Sequence, residues 1–338
     1  MNRLKVISNA SKNSDFWDEL FSWLQKDFIK VNELIFKNIS SEVPLINQLA
    51  GYIISSGGKR IRPLLTLASA KLCNYSGKRH IDLAASIEFI HTATLLHDDV
   101  VDESKKRRGQ KSANLVWDNK SSILVGDFLL SKAFRLMIQD GSNKCLEILS
   151  KASIEISQGE VLQLQTNNNI QTTESKYLQI IGAKTAALFN AACSVSGVIS
   201  EVSQEKQNAL MDYGKFIGLS FQIVDDTLDY FSNNKVFGKN IGDDFKEGKV
   251  SLPIILAYNR SNITEKRFWI RVINQKNQFK TDFVEAINII DKYHVVEDCM
   301  KKAKHFSLMA KDSLSPFEDS YEKQCLIRLA DYIVNRIS

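Results

Sequence analysis

Residues 81–96 of this 338-residue chain are apolar almost all round: Ile81, Ala84, Ala85, Ile87, Phe89, Ile90, Ala93, Leu95 and Leu96. A helix that is apolar on every side is a buried helix, so the rest of the chain has to be packed around it. The stretch ends in Asp98, Asp99 and Asp102. Asp98 and Asp102 are four residues apart, which puts their carboxylates one turn apart on one helix face. Left without cations, such a cluster would repel itself and its pKa values would rise. Hard divalent cations with oxygen ligands suit it, and Mg²⁺ usually brings phosphate oxygens with it. Lys105, Lys106, Arg107 and Arg108 follow, closed by Gly109. The stretch reads as carboxylates for metal followed by cations for phosphate.

An Asp pair followed by a basic run is also what a solvated helix end looks like. A second copy of the pattern decides between the two. Residues 221–229 read FQIVDDTLD, so Asp225, Asp226 and Asp229 repeat the spacing of Asp98, Asp99 and Asp102. This copy also ends an apolar stretch, Phe216 to Val224, and is also followed by lysines and glycines.

The surrounding chain reads as helical. Four prolines and fifteen glycines are sparse punctuation, and period-2 runs bounded by turn residues are rare. Period-3.6 patterns recur over 16–38, 44–55, 63–73, 81–102, 121–140, 144–165, 174–198, 205–231, 252–259, 281–293, 295–314 and 317–337. That predicts an all-α protein, a single large bundle of about a dozen helices. No Gly/Ser/Pro linker or internal repeat divides it. TNNNIQTT (166–173) and SNNKVFGKNIGDDFKEGK (232–249) read as loops. With 44% hydrophobic and 25% charged residues the composition is that of an ordinary globular protein. A net charge of +5 is too mild to imply nucleic acid. Five widely spaced cysteines without a CxxC pair predict buried free thiols in a reducing compartment. No apolar run approaches the ~18 residues of a membrane span, and the first fifteen residues have no apolar signal core. These readings place the protein in the cytoplasm, without a transmembrane segment.

Other stretches carry chemistry. In GGKRIRP (57–63) two glycines allow close backbone approach. Lys59, Arg60 and Arg62 follow, and Pro63 suits the first turn of a helix. This predicts an anion site opening a helix. His91 lies seven residues before Asp98, about two turns, hence on roughly the same face, whereas His97 points about 100° away and reads as structural. Glu160 and Gln163 stand at i, i+3, and Lys184 and Thr185 interrupt a small, apolar helix surface. Gly214 and Gly218, four apart, predict close helix packing. GKNIGDDFKEGKVSLP (238–253) carries Lys239, Asp243, Asp244 and Lys249 among glycines, which would make a flap over metal-bound phosphates.

Together, in the order GGKRIRP, DDVVD, RRG, GD, KT, FQIVDD, GKNIGDD and GK, these motifs resemble the trans-polyprenyl diphosphate synthase family. The resemblance spans roughly residues 50–255 within one domain covering 1–338. HTATLLHDDVVDESKKRRG and VGDFLLSKAF look most like its long-chain, octaprenyl-type branch. The resemblance implies the isoprenoid synthase fold, with helices around a central cavity. It implies that Asp98, Asp102, Asp225 and Asp229 hold about three Mg²⁺ ions. By the same resemblance Arg107, Lys184, Gln222, Lys239 and Lys249 surround an allylic diphosphate such as farnesyl diphosphate. Lys59, Arg62, His91 and Arg108 match the isopentenyl diphosphate site, and Thr185 and Asp226 stand behind the substrate-binding positions. A homodimer is implied as well, with room for peripheral membrane contact at product release. KVSLP at 249–253 departs from the family's Lys-Pro-Thr-Leu-Pro but keeps a hydroxyl. Two relatives of the reading differ in sequence. A class I terpene cyclase would carry an NSE/DTE-type second motif and would not need GGKRIRP. A non-catalytic subunit of a heteromeric synthase would have lost one aspartate motif.

Product length is read from the helix that ends at Asp98. Ala93 and Thr94, five and four residues upstream, are small where short-chain members usually have an aromatic floor. That puts the floor deeper, near Phe89 or Ile90, or at Phe128, Leu130 or Phe134. With about one isoprene unit per helical turn, an open pocket favours a long product, and the resemblance to the octaprenyl branch implies on the order of eight units, a quinone side-chain precursor.

Overall fold

The computed structural model describes residues 2–231 and 242–335, with side chains from residue 16 onward. It is all-α. The helices run α1 (Asn2–Ile39), α2 (Pro44–Ser55), α3 (Ile61–Leu72), α4 (Arg79–Val101), α5 (Ala113–Val116), α6 (Asn119–Asp140), α7 (Asn143–Thr166), α8 (Glu174–Ile181) and α9 (Ala187–Ile199). They continue with α10 (Gln204–Phe231), α11 (Asp243–Lys246), α12 (Leu252–Arg260), α13 (Ile263–Trp269), α14 (Asp282–Lys292), α15 (Val295–Ser313) and α16 (Tyr321–Asn335). A π-helical turn, Gly182–Ala186, joins α8 to α9 without a break, and a second, Ile270–Asn274, extends α13. Among the described residues the only strands are β1 (Lys106–Arg107) and β2 (Gln110–Lys111), a minimal antiparallel hairpin.

Local chemistry fixes many helix ends. Pro44 opens α2, where its missing N–H costs nothing. The Asp118 side chain accepts from the Ser121 N–H at the start of α6, Ser142 does the same for α7 and Thr173 for α8. Asn262 and Glu265 form a reciprocal capping box on α13. The periodic pattern does not announce α5, α11 or the α13 region, since these are short or irregular. Part of the predicted 232–249 loop is thus the helical turn α11, while residues 232–241 lie outside the described residues.

As its composition requires, α4 is the central helix, packed against α6, α3, α1 and α9. One apolar cluster gathers around it and includes Leu83, Ile87, Phe89, Leu129, Phe189, Ile217 and Leu329. A second, towards the C-terminus, holds Ile223, Val224, Leu252, Trp269, Ile290 and Val295. α10 runs through both clusters, and Phe216 packs against each. Close approach of α10 to α9 depends on small residues, as the Gly214/Gly218 spacing predicts. A Cβ on Gly214 would lie 2.4 Å from the Phe189 carbonyl oxygen, and one on Gly218 would lie 2.5 Å from Ala186 Cα.

Glu174–Ile199 corrects the reading that no apolar run suffices for a membrane. By length and composition this continuous helix could cross one, with a mean hydropathy of 1.2 over 18 residues. It is a core helix instead: 67% of that window is buried inside the fold. The cysteines are free, and all but Cys73 are buried.

Candidate active site

The ends of several helices open onto one cavity of about 400 Å³. The last turn of α4 brings Asp98 and Asp102 to it, and hairpin β1–β2 folds Arg107 and Arg108 back over the same mouth. Arg62 comes from the first turn of α3, Glu160 and Gln163 from α7, and Gln222, Asp225 and Asp226 from α10. Asp244, Glu247 and Lys249 close the side next to α11. Lys184 and Thr185 also line it, and both belong to the π-helical turn. A π turn carries an extra residue, which re-aims the side chains it bears. The neighbouring helices make room for that bulge. A Cβ on Gly159 of α7 would lie 2.6 Å from the Lys184 nitrogen.

The carboxylates of the first motif are each met by a lysine that has a second acidic partner. Lys184 Nζ lies 2.6 Å from Glu160 Oε2 and 3.8 Å from Asp98 Oδ2. Lys249 Nζ lies 2.6 Å from Glu247 Oε2, 3.0 Å from Asp102 Oδ2 and 3.9 Å from Asp244 Oδ1. Burial works against the Lys249 charge, but Asp244, Asp102 and Glu247 outweigh it and hold its pKa well above the ordinary lysine value. Burial, opposed by Lys184, pushes the Glu160 carboxyl up to about 7.

The middle aspartates are tied to side chains of the protein itself. Asp99 is fully buried and accepts from Arg107, through Nε at 3.0 Å and through a shorter bond from Nη2. Burial disfavours the Arg107 cation, yet Asp99 with Asp98 and Asp102 raises its pKa. Asp226 is met by neutral donors: Tyr177 Oη donates to it at 2.6 Å and Gln222 Nε2 at 2.7 Å. Thr185 in turn donates to Gln222 Oε1 at 2.8 Å. Burial pushes the Asp226 carboxyl up to about 7.

The remaining predicted residues divide. His91 and Arg62 come together, with Arg62 Nη1 donating to His91 Nε2 at 3.1 Å. Since a guanidinium only donates, that ring nitrogen accepts and the imidazole is neutral. Burial, reinforced by Arg62, Arg108 and Arg107, holds its pKa well below the ordinary histidine value. Lys59 is not among the cavity walls. Its ammonium sits over the rings of Trp17 and Tyr332, at 4.9 and 4.7 Å, and donates to the Tyr332 hydroxyl. Asp229 is not a described wall either: its carboxylate accepts from the Asp244 N–H at 3.0 Å. Lys239 lies outside the described residues. Thr94 lines the cavity, whereas Ala93 is buried in the apolar core, 1% exposed. His97 packs at Ile123 and Asp127, consistent with a structural role. Sequence reasoning did not find the pairing of Glu160 and Glu247 with lysines, or Tyr177. Nothing in spacing marks Tyr177, which reaches the site only because α8 lies across α10.

Comparison with known proteins identifies the family. Residues 43–290 match the family model described as polyprenyl synthetase. Octaprenyl diphosphate synthase of Escherichia coli (strain K12) is 42% identical over 313 residues, 92% of this chain and 96% of that one. The chain belongs to the polyprenyl synthetase family. The crystal structure of a decaprenyl diphosphate synthase from Rhodobacter capsulatus superposes with a TM-score of 0.91 at 46% identity, covering 95% of this chain and 99% of that one. A polyprenyl synthase from Caulobacter crescentus CB15, complexed with calcium and isoprenyl diphosphate, gives 0.93 at 44% identity, covering 95% and 98%.

Proposed function

We propose that this protein is a trans-prenyltransferase that adds isopentenyl diphosphate head-to-tail to an allylic diphosphate and makes a long all-trans polyprenyl diphosphate. The observation that carries the reading is the composition of the cavity wall. Asp98 and Asp102 share one mouth with Asp225, two lysines reach in from other elements, and Arg62 and Arg108 stand to one side. Thr94, Leu95 and Phe221 give the same cavity an apolar flank for a hydrocarbon chain.

The donor set fits hard divalent ions. All candidate ligands are carboxylates, the oxygen donors that Mg²⁺ prefers. Among the described residues no three acidic or histidine side chains converge as a ready-made metal cluster. The carboxylates belong to separate helices, so a diphosphate between them would supply the remaining oxygens. Asp98, Asp102, Asp225 and Asp229 would hold about three Mg²⁺, which draw negative charge from the leaving diphosphate. Lys184 and Lys249, with Arg107, Gln222 and Lys239, would orient the allylic diphosphate and receive the charge that develops as its C–O bond breaks. Arg62, His91 and Arg108 would hold isopentenyl diphosphate so that its double bond attacks the allylic cation. The proton lost afterwards goes most simply to the released diphosphate. Catalysis of this kind is positioning plus electrostatics, and it uses no covalent enzyme intermediate.

A homodimer fits the surface. Leu124 and Ile138, both 67% exposed, lie about four turns apart on α6. Ile154 and Val161 on the adjoining α7 are 58% and 56% exposed. Light scattering on the purified protein tests that part. The activity is tested by incubating the protein with farnesyl diphosphate, labelled isopentenyl diphosphate and Mg²⁺ and measuring product chain length. A product on the order of eight isoprene units is expected, by likeness to octaprenyl diphosphate synthase. Absence of any elongated product overturns the reading.

A further inference from the structure

A buried carboxylate that the reaction scheme does not use lies against one guanidinium, Arg60, on the side of the site where Arg62 and Arg108 stand. Glu88 lies on α4 three residues before His91, hence on the same helix face. It is 6% exposed. Its Oε1 is 3.8 Å from Arg60 Nε, and its Oε2 has no hydrogen-bond partner among the described residues. Arg60 is fixed behind the site, donating to Asn32 Oδ1 and, at 3.2 Å, to the Ile54 carbonyl. Arg62 Cζ lies over the Phe189 ring, 4.6 Å from its centroid, and Nη1 donates to His91. Arg108 donates to the Gly57 carbonyl and lies against Gly58, where a Cβ would sit 2.6 Å from its Cζ.

With His91 neutral, Glu88 is the leading negative charge on this arginine group, ahead of Asp225 for Arg62 and Asp99 for Arg108, although burial also pushes its own carboxyl upward. Like charges crowded in a low-dielectric site repel strongly. Three guanidinium groups without a counter-charge would swing outward or draw in other anions. Glu88 is the leading attraction on both Arg62 and Arg108, against burial that disfavours the two cations. One carboxylate against three cations leaves the cluster net positive, so the cluster holds its shape when empty and still attracts a polyanion. We propose that Glu88 is a positioning residue for isopentenyl diphosphate, its carboxylate fixing Arg62 and Arg108 in the arrangement that receives the diphosphate. The proposal rests on the assignment of those two arginines to that substrate.

Steady-state kinetics of Glu88→Gln, with each substrate varied at saturating concentration of the other, test it. The amide keeps the shape and removes the charge. The KM for isopentenyl diphosphate should rise about tenfold, while kcat and the KM for farnesyl diphosphate stay within about twofold of wild type. A carboxylate that merely supports folding would lower the melting temperature without dividing the two KM values. If Glu88→Gln does not fold, Glu88→Asp withdraws the charge by one methylene and should show the same split, about threefold in size. An unchanged KM for isopentenyl diphosphate in a folded variant overturns the role of Glu88, and Arg62→Ala still reports on the site assignment. A rise confined to farnesyl diphosphate overturns the assignment of the arginines itself, and the proposal with it.

Discussion

The two aspartate motifs have the same spacing and different surroundings. In DDVVD the middle carboxylate, Asp99, is fully buried against a cation, Arg107. In DDTLD the middle carboxylate, Asp226, is buried against two neutral donors, Tyr177 and Gln222. The outer positions differ as well. Asp98 and Asp102 both face the cavity and both meet a lysine, whereas Asp225 faces the cavity and Asp229 caps the turn that begins α11. The repeated letters therefore describe one shared setting at the first position and different surroundings at the middle and last positions. The first motif anchors the basic hairpin, and the second anchors the polar network that reaches Thr185 in the π-helical turn.

Four experiments can break or sharpen that contrast. The largest effect is expected where the motifs agree. Asp98→Ala and Asp225→Ala should each lower kcat by about 10³-fold or more, the loss of several kcal/mol of transition-state stabilisation. Excess EDTA should silence the wild type. Radiolabel incorporation reads all three, and full turnover by either variant would deny the two first positions their common role.

The middle positions should then diverge in stability. Asp99→Asn leaves a buried guanidinium without its partner and should cost about 3–5 kcal/mol. Asp226→Asn replaces a carboxylate held by neutral donors and should cost about 1 kcal/mol or less. Denaturant melts compare them directly, and equal losses would erase the distinction between a charged and a neutral anchor.

A third test separates the substrates by side of the cavity. Arg62→Ala should mainly raise the KM for isopentenyl diphosphate, and Lys249→Ala, beside Asp102, should act on the allylic substrate or on kcat. If Arg62→Ala weakened only the allylic substrate, the two sides would have to be exchanged.

The smallest effect concerns the residue one turn before each motif. Before Asp98 that residue is Thr94, and before Asp225 it is Phe221. Both line the cavity. A small residue leaves the first side open to a growing chain, and an aromatic fills the second. Thr94→Phe should therefore shorten the product to about three or four units, one turn of helix per unit, and leave the first condensation nearly intact. Ala93→Phe, in the core beside it, should instead cost about 1–3 kcal/mol by overpacking. Product chromatography and melting curves distinguish these outcomes, and an unshortened product from folded Thr94→Phe would move the chain to another face.

Much of this was legible from residue order because it depends on local rules. Apolar periodicity gave α2 and α10 nearly to the residue, and the uniform apolarity of 81–96 identified the central helix. The i, i+4 spacing placed Asp98 and Asp102 on one face. What depends on tertiary neighbours was not legible. Glu160 and Glu247 look like any solvated glutamates until the lysines that grip them are in place. Lys59 has the sequence context of a ligand for an anion, but aromatic rings from α1 and α16, far apart in the chain, hold it outside the cavity wall. Asp229 repeats the spacing of Asp102 and nonetheless bonds to backbone. The π-helical turn has no signature in composition, since Gly182–Ala186 reads as ordinary helix.

That turn makes the middle of a buried helix the place where chain length matters most. Insertions and deletions are usually confined to surface loops, and Glu174–Ile199 has no loop. Its two halves are already one residue out of phase with a regular α-helix. Deleting a single residue between Gly182 and Ala186 would let the helix close into regular geometry without leaving its neighbours. Lys184 would then rotate away from Glu160 and Asp98, and Thr185 from Gln222. The extra residue is thus a local excess of backbone, accommodated by Gly159 and Gly218 on either side.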